Sequence, residues 1–210
     1  MTTLFPPDEF AKVKDLLTVY GCGLRTIVTK LDILNEDFKN FHAVNPIEHV
    51  KSRIKSPESI ANKLHKKGMD VTAENSRRYI YDIAGIRVIC SFTKDIHSLV
   101  DVIRRQSDIV ITDEKDYVKS PKPSGYRSYH IIAEVPVYMT ESGLKIPVEI
   151  QIRTAAMDFW ASLEHKVRYK YEEEIPKHLS DELIVCANKI AELDDRMHLI
   201  HEIISLINYN

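Results

Sequence analysis

From Asp8 onward, apolar residues recur at Phe10, Val13, Leu17, Tyr20, Leu24, Ile27, Leu31, Leu34, Phe38 and Phe41. Alternating steps of three and four trace one stripe along a helix, so residues 8–43 are predicted as a single amphipathic helix. Gly21 and Gly23 fall inside it. Each costs up to about 1 kcal/mol relative to Ala, which predicts a kink or a close helix contact there. A second stripe, Leu183, Cys186, Ile190, Leu193, Met197, Ile200, Ile204 and Ile207, predicts a helix over 177–208, with Pro176 suited to its start. Each stripe needs a partner surface, either the helix's own domain or another subunit.

The pattern between the two helices is mixed. Asp82 to Phe92 is rich in apolar and β-branched residues and reads as a central strand. Ile96, Leu99, Val100 and Ile103 carry helical spacing over 95–105. Strands are predicted over 108–112, 128–137 and 147–152, the last two forming a hairpin around Glu141-Ser142-Gly143. Thr154 is placed to cap a helix from Ala155 to Tyr169, whose Trp160, Leu163 and Val167 read as a core stripe. The fold class is α+β: one domain over 1–210, a mixed β-sheet of about five strands with packed helices, flanked by two long terminal helices.

Composition narrows the function classes. With 44% hydrophobic and 29% charged residues the chain is too apolar to be disordered. A net charge of −2 gives no global basic field, so any anion site is local. Cys22, Cys90 and Cys186 lie far apart without metal-ligand spacing and read as reduced core thiols of a cytoplasmic protein. The N-terminal Met-Thr-Thr-Leu-Phe-Pro-Pro lacks the basic and apolar regions of a signal peptide, and no apolar run suits a membrane helix.

Three constellations carry candidate chemistry. Lys51, Arg53 and Lys55 share one face of an extended stretch, followed by a helix start at Ser56-Pro57-Glu58-Ser59 and by Lys63, Lys66 and Lys67. A triphosphate needs cations held from different backbone elements, as here; a solvated basic face is the plainer alternative. Asp82 begins the apolar strand that contains Arg87. Side chains five apart on a strand oppose each other unless a bulge intervenes, and Gly85 offers one. The pair is either a structural ion pair or a metal carboxylate with a phosphate-binding Arg. The third joins a cationic loop with an exposed-looking aromatic, Lys119, Lys122, Tyr126, Arg127 and His130, to Glu149 and Gln151 on one strand face. Gly125 would let a flat base approach Tyr126. Asp82 and Glu149 together suit Mg²⁺, which prefers one or two carboxylates plus substrate phosphates.

Arg53-Ile-Lys55, Asp82-Ile-Ala-Gly-Ile-Arg87, Gly125-Tyr-Arg-Ser-Tyr-His130, Glu149-Ile-Gln-Ile-Arg-Thr154 and Asp158-Phe-Trp-Ala-Ser-Leu-Glu-His-Lys166 occur in order. Together they resemble the small alarmone synthetases, single-domain members of the RelA/SpoT family with a nucleotidyltransferase-like synthetase domain. The likeness runs from about Asn45 to Lys170, and Asn45-Pro-Ile-Glu-His49 is similar to the RelP branch. It implies transfer of the β,γ-pyrophosphate of ATP to the 3′-hydroxyl of GDP or GTP. By the same likeness Arg53, Lys55, Ser59, Lys63, Arg87 and Lys115 would bind ATP. Lys119, Lys122, Tyr126, Arg127, His130 and Gln151 would serve the acceptor, with Tyr126 stacked on guanine. Asp82 would bind Mg²⁺, and Glu149 would orient and deprotonate the hydroxyl.

A homotetramer is likewise implied. At the positions where RelQ-type relatives bind an activating alarmone stand Val28, Asp32 and Asn35, so that activation is not expected. With no His-Asp dipeptide and no room for a hydrolase domain, alarmone degradation is not expected either. Two other classes compete: an RNA-binding module stacking bases on Tyr126 and Tyr129, and an RNA nucleotidyltransferase. The acid pair separates them, since an RNA binder has little use for two carboxylates in one cleft.

Overall fold

A computed structural model describes residues 5–169 and 175–208. Met1–Leu4, part of the stretch read for a targeting signal, and Lys170, the end of the motif likeness, lie outside the described residues. Five strands form one mixed sheet in the order β1-β2-β5-β4-β3. They are β1 (Ile47–Ile54), β2 (Ala84–Cys90), β3 (Val110–Asp116), β4 (Tyr129–Tyr138) and β5 (Gly143–Thr154). β2 and β5 run parallel, and the other neighbours are antiparallel. The middle strand is therefore β5, with β2 beside it. The hairpin expected near Gly143 is present, Tyr138 facing Gly143 across the β4–β5 turn.

Alternation along β5 explains the layering. Ile146, Val148, Ile150 and Ile152 are buried, whereas Pro147, Glu149 and Gln151 are half-buried on the opposite face. The register carries that division across the sheet. Lys51, Arg87, Gln151, His130 and Lys115 stand opposite one another over all five strands, and Arg53, Gly85, Glu149, Ile132 and Asp113 form the next row. Directly opposed residues share a face. One face is thus polar and the other apolar.

The apolar face is covered by α1 (Phe10–Phe41) and α4 (Thr93–Arg104). Val13, Tyr20, Leu24, Ile27 and Leu31 of α1 join Ile96, Leu99, Val100 and Ile103 of α4 in the main core. Each such residue contributes about 1.5–3 kcal/mol on burial. Truncating Ile27 to Ala would cost about 2–5 kcal/mol. A Cβ at Gly23 would come within 2.7 Å of Ile146 Cγ2, so this glycine lets α1 lie against β5. The close contact is therefore with the sheet and not with another helix.

The two terminal stripes meet different fates. In α6 (Lys177–Asn208) Ala187 and the half-buried Leu183 and Ile190 pack against Trp160 and Ala161 of α5 (Ala155–Tyr169), while Asp194 accepts from Thr154 and His198 and His201 lie against Phe92. Leu193, Met197, Ile200, Ile204 and Ile207 remain exposed. Three readings need correction. Leu163 and Val167 are exposed, so the expected stripe with Trp160 is not core; only Trp160 reaches the α6 contact. Cys186 is exposed and Cys22 half-buried, which leaves Cys90 as the one buried thiol of the three. The short helix α3 (Ala73–Tyr79), capped by the Thr72 hydroxyl accepting from Asn75 N–H at 3.1 Å, carries no periodic stripe and escaped the sequence reading. No helix among the described residues is long and apolar enough to cross a membrane.

Candidate active site

The polar face holds a cavity of about 200 Å³ lined by Lys51, Ser52, Arg53, Asp82, Gly85, Ile86, Arg87, Glu149 and Gln151. Asp82 reaches it from the turn before β2, outside the strand. Strand alternation therefore does not separate it from Arg87, and the bulge expected at Gly85 is not needed; the irregularity of that ladder lies between Ile47 and His49. Ser56 caps α2 (Pro57–Lys66) by accepting from Ser59 N–H at 3.2 Å, which fixes the helix that carries Lys63.

The partners differ from those expected. Asp82 pairs with Lys55 Nζ at 2.6 Å and Lys63 Nζ at 2.8 Å, not with Arg87. Arg87 Nη1 meets Asp158 Oδ1 at 2.9 Å, and its Nε, buried, has no hydrogen-bond partner among the described residues. Burial pushes the Asp82 carboxyl up, but hydrogen bonds from Lys55 and Lys63 and their charges outweigh it and hold it below its ordinary value. Burial likewise raises Glu149; hydrogen bonds from His130 and Gln151 outweigh it, against the nearby charge of Asp82. Both acids are ionised at neutral pH, facing one cavity.

Glu149 is bracketed. His130 Nδ1 lies 3.4 Å from Oε1, and Gln151 Nε2 donates to Oε2 at 2.8 Å. Tyr126 is half-buried rather than exposed. Its hydroxyl lies 2.8 Å from His130 Nε2, and Lys122 Nζ stands 5.0 Å from its ring centre. Tyr117 joins this cluster, edge-on to His130 at 5.3 Å and beneath Lys122 at 4.7 Å.

Gly125 serves a different purpose from the one expected. Its φ of +86° belongs to the left-handed region, and a Cβ there would come within 2.5 Å of Ala187 Cβ. It closes a turn beneath α6. Arg127 donates to the Val118 carbonyl at 3.1 Å and lines a small cavity with Trp160, Ala187 and Asp194, apart from the main cleft.

Lys55, Lys63, Lys122, Tyr126 and His130 stand behind the main lining, and Ser59, Lys115 and Lys119 also fall outside it. Ser59 meets the Ser56 hydroxyl at 2.9 Å, and Lys115 pairs with Asp113 at 3.0 Å. The exposed Lys119 Nζ lies 3.8 Å from Asp116. Sequence reasoning assigned no role to Tyr117, Arg153 or Asp158. The signal for Arg153 and Asp158 was available in principle: a charged residue inside an apolar strand and an acid one turn into the next helix.

Asp82 and Glu149 supply hard oxygen donors to one cavity, which suits a small divalent cation completed by substrate phosphates. Among the described residues no group of three or more His, Cys, Asp or Glu could hold a metal without such help.

Residues 52–174 match the family model described as the region found in RelA/SpoT proteins. The GTP pyrophosphokinase YwaC of Bacillus subtilis is 48% identical over 184 residues, covering 88% of each chain. The same organism's GTP pyrophosphokinase YjbM is 36% identical, covering 83% of this chain and 77% of its own. Among solved structures, small alarmone synthetase 2 of B. subtilis superposes with a TM-score of 0.82 at 46% identity, covering 90% of this chain and 97% of that one. Small alarmone synthetase 1, bound to its product pppGpp, gives 0.86 at 31% identity, covering 93% and 99%. On the span of the model and the closeness of these relatives, the chain belongs to the RelA/SpoT family.

Proposed function

We propose that this protein is a (p)ppGpp synthetase of the stringent response, transferring the β,γ-pyrophosphate of ATP to the 3′-hydroxyl of GDP or GTP. The observation that carries the reading is the convergence of Asp82 and Glu149 on one cavity beside Arg53 and Arg87. The names of YwaC and YjbM, and the pppGpp and AMPCPP complexes of small alarmone synthetase 1, support the same substrates.

Arg53, Lys55, Lys63 and Arg87 hold the donor triphosphate, whose arrival gives the two lysines of Asp82 a second anion. Asp82, with Glu149, holds Mg²⁺, which when bound neutralises phosphate charge. Tyr126, with Lys122 and His130 around it, takes the acceptor base. The 3′-oxygen bonds to the β-phosphorus as that atom's bond to the α,β-bridging oxygen breaks. The hydroxyl proton passes to the Glu149 carboxylate, and AMP leaves. Catalysis is then chiefly positioning and charge neutralisation. Glu149, ionised at neutral pH, is ready to accept the proton.

The enzyme is read as a cytoplasmic homotetramer of the RelP branch; the exposed stripe of α6 supports a subunit contact, and Val28, Asp32 and Asn35 support the lack of alarmone activation. Incubation with labelled ATP, GDP and Mg²⁺, followed by chromatography, tests the reaction. AMP and ppGpp are expected. Released pyrophosphate with labelled RNA would instead mean nucleotidyl transfer.

A further inference from the structure

Arg153 is only 4% exposed, yet it is the most connected side chain behind the cleft. Its Nη2 donates to Tyr126 Oη at 2.5 Å and to Gln151 Oε1 at 2.7 Å. Its Nη1 lies 3.2 Å from Asp158 Oδ1, the atom that also receives Arg87, and its Nε points to Ser128 Oγ at 3.4 Å. Two of these bonds decide the state of the groups in contact with Glu149. An arginine only donates, so it fixes the direction of its own bonds and biases those that follow.

On the first arm, Gln151 accepts from Arg153 through Oε1, so its amide must present Nε2 to Glu149 Oε2, at 2.8 Å. Without that anchor the amide is free to rotate away from the carboxylate. On the other arm, Tyr126 Oη accepts from Arg153, which leaves its own proton available to His130 Nε2 at 2.8 Å. With Nε2 accepting, the ring proton sits on Nδ1, which faces Glu149 Oε1 at 3.4 Å. Both arms start at one guanidinium and end on the two oxygens of one carboxylate.

We propose that Arg153 is a positioning residue for pyrophosphoryl transfer, one that fixes the Gln151 amide and the His130 tautomer and thereby aims Glu149. The inference rests on the proposed role of Glu149 for its kinetic consequence, but not for its structural one. A misaimed acceptor of this kind costs about 100-fold in rate.

The test uses the full-length enzyme and Arg153→Met, which keeps much of the side-chain volume, with Arg153→Lys as the conservative partner. The Met variant is expected to lose about 100-fold in kcat with the KM for ATP unchanged, and the Lys variant to recover part of that loss. Nitrogen-15 resonances of His130 should show the Nδ1-protonated tautomer in the parent and a mixture in the Met variant.

Removing a buried cation can also unfold the chain. Tyr126→Phe combined with Gln151→Leu, which severs both arms and leaves Arg153 in place, is therefore measured alongside. The double variant should match the Met variant in kcat, and adding Arg153→Met to it should cost little more. A folded Arg153→Met enzyme with parental kcat and an unchanged His130 tautomer would overturn the proposal. So would a loss that simply multiplies with that of the double variant. Glu149→Gln turning over at the parental rate would remove the role of Glu149 alone, and the His130 tautomer would then decide whether Arg153 positions its neighbours.

Discussion

The two halves of the cleft lie on one sheet face and differ in kind. On the β1–β2 side Lys51, Arg53, Lys55, Lys63 and Arg87 surround Asp82 in a region dense in positive charge. On the β4 side Tyr117, Tyr126 and His130 form a cluster of rings with Lys122 above it. Charge density suits a triphosphate, and ring faces suit a base. Glu149 sits where the halves meet, close enough to Asp82 to feel its charge while bonded to His130. The contrast teaches that donor and acceptor are separated by chemistry and joined by one carboxylate.

Three changes bear on that division. Glu149→Gln keeps the shape of the boundary but removes the proton acceptor. Steady-state assays should show kcat down by about 1,000-fold with substrate KM values little altered; parental turnover would dissolve the boundary role. Tyr126→Ala strikes only the aromatic half. Loss of stacking worth about 1–3 kcal/mol should raise the acceptor KM by roughly 5- to 150-fold and leave that of ATP nearly untouched. Equal effects on both substrates would mean that the halves are not distinct.

The smallest effect is on stability. Asp82 and Glu149 are held below their ordinary values of 3.8 and 4.5 in the folded state. Groups with lowered folded pKa contribute stability that is complete above the unfolded value and is lost as pH falls through the folded one. Thermal melts should therefore be insensitive to these acids from about pH 5.5 upward, with the loss falling below 4.5. In Asp82→Asn that acid-side loss should be shallower.

How much of this was legible in the sequence depends on the range of the interaction. Periodicity located both terminal helices and four of the five strands, because alternation and helical spacing are local. The polar face of β5 was legible as well, since Glu149 and Gln151 share it by spacing alone. The partners were not. Asp82 lies in a turn, where no alternation rule applies, and its lysines come from β1 and α2. Arg87 found Asp158 of α5, a contact set by the close of β5 and invisible to spacing along β2. Gly125 was read for base access, yet its backbone angle and its contact with Ala187 belong to packing of α6, more than fifty residues away. Tyr126 looked exposed because its loop is polar; the rings and guanidinium that enclose it arrive from other strands.

Metal binding tests the shared-carboxylate claim most directly. Manganese stands in for Mg²⁺ and is followed by electron paramagnetic resonance during titration, with a non-hydrolysable ATP analogue present. The account predicts one nucleotide-dependent ion per chain in the parent, binding about tenfold or more weaker in Asp82→Asn and in Glu149→Gln. Unchanged affinity in both variants would contradict it.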